Sequence, residues 1–302
     1  MIRIIKQEDI DKEKWDECIR KATNSLIYGY SFYLDAMSKW DGIVVNDYEA
    51  VMPLTWKRKY GIKYLYQPPF TQQLGLFTSK ADAAVLEQIV GTMKAEYKFW
   101  EVNFNYATDA GFLKQPLETT SASNYIISLS QGYEAIYKGY HNVLIKNLKK
   151  SNKFELQYCP GDYEECIEQF KLQYGKRVKN LQESEYSNFL KACKLAEGKN
   201  MLICRKAVAA STIMACVIML FDGKRLYNII NITPEAGKET EANRFLLDCV
   251  IKEFAGKNII LDLEGSEIPG VKAFYEQFGA VNQPYFKVKY NGLAWPFKLL
   301  KR

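Results

Sequence analysis

NIILDLEGSEIPGVKAFYEQFGAVNQPYFKVKYN, residues 258–291, packs a strand, a helix and a second strand into one short stretch. Ile259 to Leu263 is a mostly apolar run of the length a buried strand needs, and it gives way to Glu264 and Gly265. Pro269 suits the first turn of a helix, where an amide proton would have no intrahelical partner. Val271, Phe274, Tyr275 and Phe278 follow at helical spacing on one face, and Gly279 can close the helix in a left-handed conformation. YFKVKY, residues 285–290, reads as the next strand.

The pattern continues upstream. NMLICRK (200–206) and STIMACVIMLF (211–221) read as strands, and a turn at Asp222 and Gly223 leads into RLYNIINI (225–232), a strong hairpin signal. The loop TPEAGKETEAN (233–243) precedes a helix with Ala242, Phe245, Leu246, Cys249, Val250 and Phe254 on one face. The first half repeats this order. IRIIK (2–6) is a strand, residues 11–22 are a helix facing inward through Trp15, Cys18, Ile19 and Ala22, and Tyr33 to Trp40 is a second helix ended by Gly42. YEAVMPLTWKRKYGIKYLYQPP (48–69) is two strands turning near Gly61, residues 81–97 are an amphipathic helix, and FWEVNFNY (99–106) alternates as a strand. Between the halves, Tyr133 to Lys153 is expected as one long helix, with two more at 163–174 and 184–196.

Length and composition set the bounds. A chain of 302 residues fits one large or two medium domains. The net charge of +6 is mild; it suits an anionic partner such as a nucleotide cofactor or tRNA, and equally suits ordinary solubility. Seven cysteines, an odd number without zinc-ligand spacing, predict a reducing cytoplasm, no disulfide framework and no metal site. His141 is the only histidine, which excludes a multi-histidine metal enzyme. The N-terminus lacks a signal-peptide core, and the longest apolar run, 213–221, is too short to span a bilayer. The expectation is a cytoplasmic protein with no integral membrane segment.

PGVKAFYEQFGA (269–280) resembles the helix near the end of GNAT-fold N-acyltransferases, and residues 199–290 resemble their core. The tandem arrangement resembles the Fem-type aminoacyl transferases, with YHNVLIKNLKKSNK (140–153) similar to the basic helix that opens their second domain. This resemblance is carried by the second half and is weak over 1–120. It implies an α/β (α+β) chain of two tandem GNAT-like domains, each a mixed, mostly antiparallel sheet flanked by helices. A degenerate copy would occupy 1–125, and a second copy 126–302 with a helical insertion at 162–197.

The resemblance also implies chemistry. Tyr275 holds the motif position of a tyrosine that protonates a departing thiolate; alternatively it is a core tyrosine. Glu264, at a strand end, is the candidate acceptor of the amine proton, and His141 has no acid beside it in sequence to orient it as a base. In the loop EAGKETEAN, Gly237, Lys238, Thr240 and Asn243 are candidates to hold acetyl-CoA or another acyl-CoA, Gly237 through a tight turn and Thr240 as a helix cap. Yet the family's glycine pattern is missing, and Glu239 and Glu241 would repel phosphate. Asn228 and Asn231 could hold the acyl group, although strand alternation points them to opposite faces. Lys149 and Lys150, with Lys138, Lys146 and Lys153, form a basic face open to tRNA or merely to solvent, which Lys171, Lys176, Arg177 and Lys179 could extend. The tail GLAWPFKLLKR is expected to pack back on the first domain. The expected function is acyl transfer from an acyl-CoA or an aminoacyl-tRNA to a small-molecule or peptide amine, in a groove between domains; the alternative is a non-catalytic binding module that has lost its donor site.

Overall fold

The computed structural model describes residues 1–80, 82–109, 111, 117–175, 181–265, 268–295 and 298. Lys176, Arg177, Lys179 and most of the tail lie outside the described residues. The chain forms two compact units, one of 1–122 with 284–302 and one of 123–283. The first contains β1 (Ile2–Lys6), α1 (Lys12–Lys21), α2 (Ser31–Met37), β2 (Lys39–Val45), β3 (Ala50–Lys59), β4 (Ile62–Leu65), β5 (Phe77–Thr78), α3 (Ala83–Glu96), β6 (Phe99–Phe104) and β7 (Glu118–Ala122). The second contains β8 (Tyr125–Ser128), α4 (Tyr133–Lys138), α5 (Asn142–Ser151), β9 (Gln157–Pro160), α6 (Tyr163–Tyr174), α7 (Glu183–Glu197), β10 (Leu202–Ala209), β11 (Thr212–Phe221), β12 (Arg225–Ile232), α8 (Glu235–Lys238), α9 (Ala242–Phe254), β13 (Ile260–Asp262), α10 (Pro269–Glu276) and β14 (Val281–Asn282). The last strand, β15 (Tyr285–Asn291), belongs to the first unit.

The two sheets share one plan. The first runs β1-β2-β3-β4-β6-β15-β7, with β5 beside β3; the second runs β9-β10-β11-β12-β13-β8-β14. In both, three antiparallel pairings lead to one parallel pairing, β4 with β6 and β12 with β13, followed by two antiparallel pairings. Helices α1–α2 and α6–α7 connect the first two strands of each sheet, and α3 and α9 lie on the parallel crossovers. The fold is therefore mixed α/β with mostly antiparallel sheets, and the repeat lies in its topology.

Several boundaries differ from the sequence expectations. The units divide at 122/123, and residues 284–302 join the first unit, whereas the sequence reading gave 126–302 to the second. YFKVKY pairs with β6 and β7, so 199–290 does not close as one self-contained unit. The described start of the tail sits on the first unit, where Gly292 N–H donates to Lys98 O at 2.8 Å. Gly42 lies within β2 and not at a helix end; an added Cβ there would come within 2.5 Å of the Trp15 ring, so glycine is needed for that strand to approach α1. The long helix at 133–153 is two, α4 and α5. His141 N–H donates to Gln277 O at 2.9 Å, so the break docks on the end of α10. Val143, in the first turn of α5, is 57% exposed. Gly279 has φ +74°, the left-handed close anticipated from sequence.

The second unit's core lies between α4, α5, α9 and α10 and one sheet face, through residues such as Leu144, Leu148, Val217, Met219, Leu246 and Phe278. Among the described residues no helix is long and apolar enough to cross a membrane.

Candidate functional site

The parallel pair of the second unit is short. β12 and β13 are in register at Arg225, Leu226 and Tyr227, where β13 ends at Asp262. β12 continues to Ile232 paired with β11. The described contact between β12 and β13 thus covers only the first three residues of β12.

A bulge lies in the part of β12 that runs on past β13. Met219 pairs with Asn228 and Ile218 with Ile230, leaving Ile229 as an extra residue. The bulge resets the alternation. Asn228 stands opposite Met219 and Asn231 opposite Val217, two positions apart on one face of β11. Both asparagines therefore face the same side, that of Val217 and Met219, which corrects the expectation of opposite faces. Both amide atoms of Asn228 and both of Asn231 are buried without a hydrogen-bond partner, as is Oδ1 of Asn243 in the first turn of α9. A buried unmet polar group costs about 1–3 kcal/mol. Asn228 and Asn231 put four such atoms on one face of β12.

Tyr275, on α10, is buried against Tyr125 and Phe274, with ring centroids 6.2 and 5.7 Å away. Burial raises its phenol well above the usual value, and the nearby Glu264 and Asp262 carboxylates add to this, so it stays protonated at neutral pH. Glu264 has φ +62°, a left-handed conformation costing a side chain roughly 1–2 kcal/mol. Its N–H donates to Asp262 Oδ1 at 3.0 Å, and its carbonyl accepts from Tyr125 N–H at 3.3 Å. Asp262 is itself fixed. Its Oδ2 accepts from Arg225 Nη1 at 2.6 Å and from Asn124 Nδ2 at 3.2 Å, and Arg225 also reaches Gln283 Oε1 at 3.0 Å. Sequence reading missed this network. Its only signal was an arginine opening one strand and an aspartate closing the next.

The loop before α9 differs from the expectation. A cavity of about 190 Å³ is lined by Thr233, Gly237, Lys238, Glu241, Asn243, Arg244 and Phe274. Gly237 is glycine because of packing: an added Cβ would lie 1.7 Å from Met214 O. Its N–H is used by Pro234 O at 2.9 Å. Lys238 pairs with Glu235. Thr240 does not cap the helix; its hydroxyl donates to Gly237 O at 2.9 Å. The cap position belongs to Glu241, at φ +60°, with no capping side-chain bond. The Glu241 carboxylate takes Lys150 at 3.3 Å and Arg244 at 2.5 Å, and Arg244 lies 5.1 Å from the centre of the Phe274 ring. Lys150 is thereby drawn to the loop, while Lys149 is exposed at the end of α5. Lys171 is tied to Glu168 and Glu183 at 3.0 and 2.6 Å, so it does not extend the basic face as a bare cation. His141 is exposed at the start of α5.

No family model matches this sequence, and no curated protein sequence matches it. Solved structures do resemble it. FemX superposes with a TM-score of 0.70 at 11% identity, covering 97% of this chain and 98% of its own. A domain described as that of a lysylphosphatidylglycerol synthetase from Agrobacterium fabrum gives 0.59 at 10%, covering 96% and 94%. A tandem GNAT protein from the clavulanic acid biosynthesis pathway gives 0.56 at 10%, covering 96% and 98%. The chain has a tandem GNAT-like, Fem-like fold.

Proposed function

We propose that the second unit transfers an acyl group, of the aminoacyl kind, from a carrier to an amine acceptor. The observation that carries this reading is the pair of buried, unpartnered carboxamides of Asn228 and Asn231 beyond the point where β12 and β13 stop pairing. An acetyl or fatty acyl group would cover these amides and leave most of their atoms unmet. An acyl group bearing an amine supplies donors to their oxygens, and its carbonyl accepts from their N–H groups.

In the proposed reaction the acceptor amine attacks the carbonyl carbon of the donor ester. A C–N bond forms and the C–O bond to the carrier breaks. Glu264 accepts the proton lost by the amine, and Tyr275, kept neutral by burial, gives its proton to the leaving oxygen. A leaving thiolate of an acyl-CoA would be protonated in the same way. The loop chemistry favours an aminoacyl-tRNA over acetyl-CoA or another acyl-CoA as donor. The Gly237 N–H is already engaged, and the loop carries three carboxylates, those of Glu235, Glu239 and Glu241. Lys149, with Lys146 and Lys153 on the same exposed surface, is the complementary contact for RNA phosphates. The acceptor is a small-molecule or peptide amine.

The test is transfer of radiolabelled amino acid from a mixture of charged tRNAs to a panel of amines, run beside acetyl-CoA. Tyr275→Phe should lower turnover about 10²–10⁴-fold with little change in donor binding. Turnover with acetyl-CoA alone would overturn the aminoacyl reading. Retention of a ligand without transfer to any amine would instead favour a binding module.

A further inference from the structure

The second sheet carries thiols on the face that acyl transfer does not use. Cys216 alternates along β11 with Ala215 and Val217, which face the other way, toward the side of Asn228 and Asn231. Cys204 on β10 stands opposite Ile218 and so shares the face of Cys216. Helix α6 brings Cys166 to this face, and α7 brings Cys193. Cys166, Cys193 and Cys216 are fully buried, Cys204 is 7% exposed, and all four are free thiols.

One pair is in contact. Cys166 Sγ lies 3.5 Å from Cys204 Sγ. Polar bonds on either side hold the two residues in place. Gly161 N–H donates to Cys204 O at 3.0 Å, and Lys206 Nζ donates to Glu165 Oε2 at 2.9 Å. Asp162 caps α6 by accepting from Glu165 N–H at 2.8 Å. Gly161 also leaves room for the thiol, since an added Cβ there would lie 2.8 Å from Cys204 Sγ. The hydrogen bond with Cys166, together with burial, raises the Cys204 thiol well above the usual value, so at neutral pH it is protonated.

We infer that Cys166 and Cys204 are a site of reversible oxidation, closing to a disulfide that staples α6 to β10 when hydrogen peroxide reaches them. Cys204 is the member open to solvent and reacts first. Its sulfur attacks a peroxide oxygen, the O–O bond breaks, and a sulfenic acid and one water result. The Cys166 sulfur then attacks the Cys204 sulfur. The S–S bond forms, the S–O bond breaks, and the hydroxyl leaves as a second water with the Cys166 proton. Two thiols thereby lose two electrons, and one peroxide gains them. The sulfurs must close from contact to about 2.05 Å, a movement of side chains on backbones already tied together. The pair lies on the sheet face away from Asn228 and Asn231, so the inference goes beyond the acyl-transfer reading.

The experiment treats the full chain with hydrogen peroxide, blocks the remaining thiols with iodoacetamide in denaturant, and maps peptides after trypsin and Glu-C. Cleavage at Glu164 and Glu165 separates Cys159 from Cys166, and tryptic NMLICR (200–205) carries Cys204 alone. A species joining the Cys166 and Cys204 peptides is expected, two hydrogens lighter than their sum and lost on adding dithiothreitol. The oxidised chain should melt at least about 2 °C higher, because the link closes a long loop of the unfolded chain. Cys166→Ala should abolish the link and leave Cys204 as a sulfenic acid that dimedone traps. Both thiols alkylated after peroxide, Cys204 linked to Cys193 or Cys216, or a midpoint that does not rise would each overturn the inference. Should Cys166→Ala fail to fold, the wild-type map decides alone. The readout needs no acyl donor, so failure here leaves the transfer reading standing, and failure of transfer leaves this site standing.

Discussion

The two parallel strand pairs occupy the same place in two sheets of the same plan, yet they are finished differently. In the first unit, β4 meets β6 only at Leu65 and Trp100, and the chain itself then fills the opening. Gln67 Oε1 accepts from Asn103 N–H at 3.0 Å, Asn103 Nδ2 donates to Gln72 O at 2.7 Å, and Leu74 N–H donates to Asn103 O at 2.8 Å. Gln73 Oε1 takes Tyr106 N–H at 2.9 Å. In the second unit, the corresponding stretch of β12 carries asparagines whose amides nothing meets. The same topology is thus closed by its own loop in the first unit and leaves buried amides without partners in the second. The residue types are nearly alike; what differs is whether the chain comes back to satisfy them.

This contrast can be broken experimentally. The largest effect should come from Asp262→Ala at the base of the second unit's opening. It removes the buried carboxylate that neutralises Arg225, whose side chain is 5% exposed. Loss of about 3–5 kcal/mol in urea unfolding is expected, and a loss below 1 kcal/mol would show that the pair does not hold the base of the opening. Next come two matched changes. Gln67→Leu should destabilise by about 1 kcal/mol, because it takes the acceptor from the part-buried Asn103 N–H. Asn228→Leu should be neutral or stabilising by about 1 kcal/mol, because it removes atoms that have no partner, and should still cut transfer at least about 100-fold. Equal destabilisation by both would erase the distinction between filled and open.

The smallest effect at neutral pH is one of titration. Burial raises the phenols of Tyr133, Tyr140, Tyr158 and Tyr275 in the second unit and of Tyr97 in the first. A tyrosine whose folded proton affinity is raised contributes stability that is complete below the unfolded value near 10 and is lost as pH rises above it. The urea midpoint should begin to fall as pH rises past about 8.5, where the raised thiols of Cys18, Cys166, Cys193, Cys204 and Cys249 count, and fall more steeply beyond 10. Hydrogen exchange should then open the second unit before the first.

Much of this fold was legible in the chain. RLYNIINI is a strand from Arg225 to Ile232 as read, and α6 spans Tyr163–Tyr174 as read. Periodicity and turn chemistry are local, so they survive in sequence. What escaped depended on partners. Nothing in RLYNIINI announces that Ile229 is extra; the bulge arises from the register with β11, and it alone puts Asn228 and Asn231 on one face. Thr240 looked like a cap because it precedes a helix, but the carbonyl it serves belongs to a glycine pressed on Met214. The break near Tyr140 falls at Gly139, the cap residue of α4, a local signal that the periodicity masked, and it docks on the end of α10.

The position of β15 has a consequence for biosynthesis. A ribosome delivers β6 and β7 early, but the strand that lies between them, Tyr285–Asn291, is made only after the whole of 123–283. Until then the facing edges of Phe99–Phe104 and Glu118–Ala122 are open to wrong partners. The second unit has no such wait: β8 precedes the rest of its sheet, and every strand is present once Asn282 has emerged. The half translated first is thus the half completed last. Removing residues 285–302 should leave the second sheet able to form, while the first becomes the seed of aggregation in the nascent protein.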